Sequence, residues 1–558
     1  MMSTVTPSVR ERSGEAGAHA SRRGRISDVY AGFGMMLRFL LQRNWLRMLI
    51  WVIALVGMIA LVVQSQRVAF PTQADRDAYA GIANTPAVAA LTGLPYAAST
   101  LGGILNIKLW MTVAVALAFA VIFFVARNGR AEEESGRTEL LRAGALGSHA
   151  YSMANWTAAS VFSGVVGVTC AIAAIGQGLP VDGALVMGAS FTGVGLVFVG
   201  VAAVTGQLAQ TSRGANGLAA SVLAAAYIIR AAADLQADGE MTSPLSWLSP
   251  IGWGQQMRSY AENYWAPFAV SAGFALILVA IALALERRRD LGAGILPDRR
   301  GPRTAGALLR TPVGLTVRLQ RASLIGWTVG LLVGSVFFGT VATAMANILS
   351  SDNPIAQVFR GGQEDILDGM LGLLVIMNVL LIVAFALQSS DTIRTEERTG
   401  RAELAWSRSI SRVRWALSRL VVPAVASLLL LAVSGFALGA SYGSSIDDPQ
   451  QGGRFAAASL AYWPSVLLMI AFALFCAAWF PRAANAVMWG SYGVVAVVSM
   501  FGDIFSLPDW VVDNTPFTAI PLVGQDFSAL PIIVITVLAV AIGALGFRRL
   551  RERDMTSD

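Results

Sequence analysis

An all-α membrane protein of twelve transmembrane helices, built as two tandem parallel six-helix repeats with both termini cytoplasmic, is predicted by three observations. The first is composition: of 558 residues, 55% are apolar and only 13% are charged, with a mean hydropathy of +0.61. Soluble domains carry about 25% charged residues, and a soluble fold could not hide this much apolar surface behind so few charges. The second is where the charges fall, and the third is a charged motif that recurs about 264 residues downstream of itself.

Several chemistries are excluded early. Cys170 and Cys476 both lie in apolar stretches and cannot build a disulfide framework or a four-ligand metal site. They read as small buried hydrophobes. His19 and His149 lie far apart in polar segments, so no metal cluster is expected. Lys108 is the only lysine among 41 basic residues. A phosphate-binding loop needs Gly-Lys-Ser/Thr, and Lys108 sits instead in Asn-Ile-Lys-Leu-Trp. If ATP drives this protein, another chain binds it.

A spanning helix needs about 20 mostly apolar residues, because in lipid the backbone must satisfy its own hydrogen bonds. Such runs occur near 46–66, 104–126, 156–178, 188–210, 217–234 and 267–286, and again near 324–346, 370–389, 420–441, 461–480, 486–503 and 531–548. The first 24 residues are polar and Arg-rich, which reads as a disordered tail over 1–25. With the N-terminus inside and the sides alternating, the inner segments hold 34 arginines and a net +17, and the outer segments a net −10. That asymmetry is what the positive-inside rule expects. It accounts for the pI near 9.8 without nucleic acid.

The second half repeats the first. RAEEESGRTELL (130–141) follows span 2 and RTEERTGRAELA (394–405) follows span 8. RRRD (287–290) ends span 6 and RERD (551–554) ends span 12, while Pro267 and Pro531 open those spans. Six spans per repeat is an even number, so both halves point the same way. The halves run over 26–286 and 324–548, joined by a cytoplasmic linker over 287–323, with a short tail over 549–558. Each half opens on a basic amphipathic stretch, 26–44 and about 313–323, expected to lie in the inner interface. Each has a Pro-broken, Trp-rich outer segment before its last span, SPLSWLSPIGW (243–253) and SLPDWVVDNTPFTAIP (506–521). These are too short to span.

The repeated EE-x-x-GR-x-EL segment is the most specific feature. Glycine permits a sharp turn after a short helix, and the flanking acids and arginine form a polar knob. A loop that only set topology would need neither acids nor a repeated spacing, so the knob is read as a docking element. This motif, the six-plus-six repeat, the amphipathic start and the broken outer segment together resemble an ABC-2 type transporter permease. The RRRDLGAG run at 287–294 makes the chain similar to the actinobacterial exporter of polyketide antibiotics group, the tetronasin-type drug exporters.

The resemblance covers nearly the whole chain beyond residue 25. It implies a coupling helix between spans 2 and 3 of each half, seated in a cleft of an ATP-hydrolysing subunit. Glu132, Glu133, Gly136, Arg137 and Glu139, with Glu396, Glu397, Gly400, Arg401 and Glu403, would make those contacts. Two knobs imply two copies of a nucleotide-binding subunit, which would carry the ATP and magnesium; the chain itself would be a permease and not an enzyme. Arg213, Asn216, Arg482 and Asn485 are weaker contact candidates, since helix capping and anchoring explain them as well.

Asn106, Trp110, Phe337, Phe338, Met377 and Asn378 are polar, aromatic or thioether positions that could line a substrate cavity. Gly326, Gly330 and Gly334 form a GxxxGxxxG face on span 7, read as a close helix contact. The expected function is export of hydrophobic or amphipathic compounds, such as drugs, antibiotics, polyketides or lipids, across a bacterial plasma membrane. The rival is a proton-coupled major-facilitator transporter, which shares twelve spans and Gly-Arg loops. It is disfavoured because no acid lies mid-span to relay a proton.

Overall fold

A computed structural model describes residues 29–83, 92–142, 146–236, 243–290, 292–296, 304, 306–350, 363–407, 410–501, 508–520 and 528–552. The tail predicted over 1–25 lies outside the described residues, as do the last six residues of the chain. The described residues form helices and their connections, with no strand among them. They divide into two units, Met1–Arg300 and Gly301–Asp558.

In the first unit, α1 spans Phe33–Ala69 and α2, Gln73–Ala83, follows it. Next come α3 (Leu101–Asn128), the short α4 (Arg130–Glu134) and α5 (Arg137–Arg142), then α6 (Ala150–Gly176), α7 (Val181–Leu208) and α8 (Ser212–Leu235). A 3-10 turn over Pro244–Leu248 and α9 (Pro250–Gln255) precede α10 (Ala266–Glu286). Helix α7 is the hub, packing against α3, α6, α8 and α10. It is small-residue rich, and backbones can then approach closely. A Cβ on Gly167 of α6 would stand 2.3 Å from the Gly188 carbonyl oxygen of α7, and the reverse is equally tight. Hydroxyl side chains start two of these helices: Thr100 accepts from Gly103 N–H before α3, and Thr211 from Gly214 N–H before α8.

The second unit runs α11 (Pro312–Ser350), α12 (Gln363–Ser390), α13 (Thr392–Arg398) and α14 (Arg401–Trp406). It continues through α15 (Arg412–Gly443), α16 (Gln451–Ala461), α17 (Trp463–Trp479), α18 (Ala484–Phe501), α19 (Asp509–Val512) and α20 (Ala529–Glu552). Here α12 is the most buried span, packed by α11, α15, α17 and α18.

Among the described residues, eleven helices are long and apolar enough to cross a bilayer. The remaining predicted span, 486–503, falls on α18, which has 18 residues, about 27 Å at 1.5 Å per residue. Residues 502–507 beyond it lie outside the described residues.

Two expectations change. The amphipathic stretches at 26–44 and 313–323 are not separate interfacial helices over their described parts. Each is continuous with its span, so α1 has 37 residues and α11 has 39. In α1 the cause is visible: Asn44 donates to the Asn128 side chain at 3.1 Å, and Arg43 pairs with Glu132, which ties the extension to α3 and α4. Within its own unit the GxxxGxxxG face of α11 is also not a close contact. Among the described residues nothing lies within 4 Å of a Cβ placed on Gly326, Gly330 or Gly334. A shallow groove of about 480 Å³ lined by Gly326, Trp327, Gly330 and Leu381 runs there instead. Helix α11 packs through Leu331, Ser335 and Ala342, and its tight glycine is Gly339, whose Cβ would stand 2.5 Å from Ser441 Cβ.

Candidate functional site

The two recurring knobs share one construction. Helix α3 ends at Asn128, one turn and a half of α4 follows, and Gly136 reverses the chain with φ +72° before α5. In the second unit α12 is followed by α13, and Gly400 reverses the chain with φ +69° before α14. Both values lie where only glycine sits without cost. Both glycines are open, with nothing among the described residues within 4 Å of an added Cβ.

An arginine at the start of each knob holds the turn between the fourth and fifth spans of its own unit. Arg130 donates through Nε and Nη2 to the Gln210 carbonyl at 2.9 and 2.8 Å, and through Nη2 to the Gly292 carbonyl at 3.0 Å. Arg394 Nε donates to the Pro481 carbonyl at 3.2 Å. In the first unit Glu134 adds a second tie, accepting from the Ser212 backbone N–H and, at 3.0 Å, from its hydroxyl.

The acids of the motif divide by direction. Glu133 is gripped from two sides: Arg289 reaches both carboxylate oxygens at 2.6 and 2.8 Å, and Arg130 Nη1 lies at 2.7 Å. Arg289 also donates to the Gln207 side chain. Glu132 is buried and pairs with Arg43, with Arg137 at 3.6 Å. Its counterpart Glu396 accepts from Arg419 Nη2 at 2.9 Å and from the Trp415 indole N–H at 3.2 Å. Glu397 is half-buried. Arg137, Glu139, Arg401 and Glu403 are exposed. The predicted ten thus separate into an inward set that seats the knob and an outward set, following the left-handed glycine, that faces away from it.

Arg213 and Arg482 are exposed on the turns that Arg130 and Arg394 hold. Asn216 and Asn485 are half-buried beside them. The cavity candidates fall in two groups, Asn106 and Trp110 on α3 of the first unit and Phe337, Phe338, Met377 and Asn378 on α11 and α12 of the second. Trp110 is buried in the first core, donating to the Ser190 hydroxyl at 2.7 Å and stacking on Phe191. Asn106, one turn away, is half-buried, and its Oδ1 has no partner among the described residues. Asn378 is buried and donates to the Ser335 hydroxyl, joining α12 to α11. Met377 and Phe338 pack partly buried against the core of the second unit. The Phe337 side chain lies outside the described residues.

At the opposite ends of these spans, Lys108 is clamped rather than left to the solvent. Its Nζ lies 4.9 Å from the Phe70 ring centroid and 5.0 Å from that of Tyr79, and donates to Gln66 at 3.0 Å. Burial pushes the Tyr79 phenol up to about 12, so the ring stays neutral beside the ammonium.

Sequence reasoning did not single out Arg43, Arg289 or Arg419 as site residues. Arg289 was signalled by the repeated RRRD/RERD run. Arg43 and Arg419 carry no repeat signal, because the acid at equivalent positions is answered from α1 in one unit and from α15 in the other.

The fold and the site define a multi-pass helical membrane protein in which each unit carries a buried charge cluster beneath a glycine-reversed loop. Residues 309–551 match the family model described as the C-terminal domain of the multidrug efflux system permease Rv1217c. Over 568 residues the chain is 32% identical to the multidrug efflux system permease protein Rv1217c of Mycobacterium tuberculosis (strain ATCC 25618 / H37Rv), covering 99% of this chain and 100% of that relative. The chain belongs to this family of multidrug efflux permeases.

Proposed function

We propose that the chain is the membrane-spanning subunit of an ABC-2 type exporter. Twelve spans in two parallel halves, with cytoplasmic termini, would move hydrophobic or amphipathic compounds out of a bacterial cell. Two copies of a nucleotide-binding subunit, which carry ATP and magnesium, would dock on the two knobs. The observation that carries this reading is the repeated design of the knob: an arginine and a glutamate, buried in the first unit and half-buried in the second, bind it to its own helix ends, while an exposed Arg-x-Glu follows the glycine reversal. A rigid, charged projection is what a motor subunit needs in order to push on the spans.

The test uses the outward set, because Glu133 and Glu396 are committed inside the chain. Glu139→Arg with Arg401→Glu, one change on each knob, leaves net charge intact and spares the buried pairs, including the 3.6 Å contact of Arg137 with Glu132. The full chain is co-expressed with the cell's ATPase subunit and purified from the membrane. Loss of the ATPase from the variant, with the chain still inserted and monodisperse, is the expected result. Full co-purification with undiminished drug-stimulated ATP hydrolysis would remove the knobs from the docking surface.

A further inference from the structure

We infer that the seam between the ends of α15 and α20 in the second unit is a binding site for an anionic phospholipid. A groove of about 810 Å³ opens there, walled by Val413, Leu417, Ala544 and Phe547 and edged by Arg548, Arg551 and Glu552. It lies where the apolar part of α20 gives way to its arginines. Apolar walls suit acyl chain, and guanidinium groups at the rim suit a phosphate headgroup. Arg548 Nε is shared with Glu552 at 3.1 Å. Arg551 is exposed and has no hydrogen-bond or ion-pair partner among the described residues. The rim therefore keeps net positive charge facing an open apolar slot. Basic pockets of this kind between spanning helices hold anionic headgroups.

The first unit shows what this seam looks like when the chain closes it. At an offset of 264, Val413, Ala416, Leu550 and Arg551 correspond to His149, Ser152, Glu286 and Arg287. There, Glu286 accepts from the Ser152 hydroxyl at 2.7 Å and meets His149 Nδ1 at 2.9 Å, and Arg287 Nε donates to His149 Nε2 at 3.3 Å. Three of those four polar groups are apolar in the second unit, and only the arginine is retained. In the second seam Ala416 and Leu550 are buried behind the groove, so Arg551 is left at its rim without the internal partners that Arg287 has. The site rests on the proposed orientation only for its leaflet, which would be the inner one.

The full chain is purified in detergent with phosphatidylglycerol or with phosphatidylcholine, and retained lipid is counted by native mass spectrometry, with no ATPase present. One tightly held phosphatidylglycerol per chain, preferred over phosphatidylcholine, is expected. Arg551→Gln should weaken it about fivefold and Arg548→Gln/Arg551→Gln about 25-fold, since each cation near an anionic headgroup contributes on that order. Leu417→Trp, which fills the slot without changing charge, should also lower retention. Arg549→Gln removes a charge from the same turn, but Arg549 lies over the Trp479 ring at 5.4 Å, outside the groove, so this variant should bind as the parent does. Equal loss with Arg549→Gln, no loss in the double variant, or no lipid preference in the parent would overturn the site. None of these outcomes depends on whether an ATPase docks on the knobs.

Discussion

Arg289 decides how firmly the first knob is seated. Its side chain is 4% exposed and Glu133's is 9%, so the pair is largely dry. Removing one partner from a buried pair leaves an uncompensated charge and costs about 3 kcal/mol or more. Arg130 still faces Glu133 in an Arg289→Gln variant, which places the expected loss at the low end, about 3 kcal/mol, with a melting temperature lowered by several degrees. Arg137→Gln removes a side chain that is 67% exposed, where an ion pair is worth about 0–1 kcal/mol. Thermal unfolding in detergent compares the two; equal melting temperatures would mean that the Arg289 pair does not seat the knob. The glutamates were legible in the sequence as a repeated motif, but their directions were not. Glu132 is answered from 89 residues away and Glu133 from 156, and local spacing carries no trace of partners at such distances.

Elements show the same limit in their glycines. Gly326, Gly330 and Gly334 form the clearest glycine repeat in the chain and meet nothing within 4 Å among the described residues of their own unit, whereas Gly167 and Gly188, each in a plainer run with alanine, serine or threonine four residues away, touch backbone to backbone. A pattern states that a helix could be approached closely; which helix comes is decided by the whole bundle. The consequence is testable within one helix. Gly167→Val forces a side chain into the Gly188 carbonyl and should cost about 1–3 kcal/mol even after relaxation, with a matching fall in the monodisperse fraction on size-exclusion chromatography. Gly164→Val, a turn earlier on α6 with nothing among the described residues within 4 Å, should stay within about 0.5 kcal/mol of the parent. Similar losses for both would show that helix propensity, not the α6–α7 crossing, sets the cost. The long apolar runs themselves were legible throughout, because a bilayer leaves the backbone few other solutions. The continuity of α1 and α11 with their amphipathic starts was not, since it depends on contacts such as Arg43 with Glu132 that lie far apart in sequence.

At the scale of the whole molecule, the proposed arrangement makes one geometric demand: equivalent points of the two units must lie on the same side of the membrane. Charge placement argues for it, with the arginines concentrated on one set of loops. The protein is well suited to a direct test, because its native cysteines, Cys170 and Cys476, are both buried and should give little background with a charged maleimide. Arg137→Cys and Arg401→Cys place a thiol on the exposed part of each knob. Gln73→Cys on α2 and Gln450→Cys just before α16 place exposed thiols at the other ends of the spans. In intact cells the membrane-impermeant reagent should label only positions 73 and 450, and positions 137 and 401 should react only after the membrane is opened. Labelling of 137 and 401 from opposite sides would mean an odd number of crossings between the knobs. The short α18 does not lie between them, so that result would break the parallel repeat itself. Labelling of both knobs in intact cells would keep the repeat and invert the orientation, and with it the expected side of any ATP-driven partner. With both knobs inside, protection of 450 alone would mean that α15 does not cross, and protection of 73 alone that α3 does not, a local failure confined to one unit in either case.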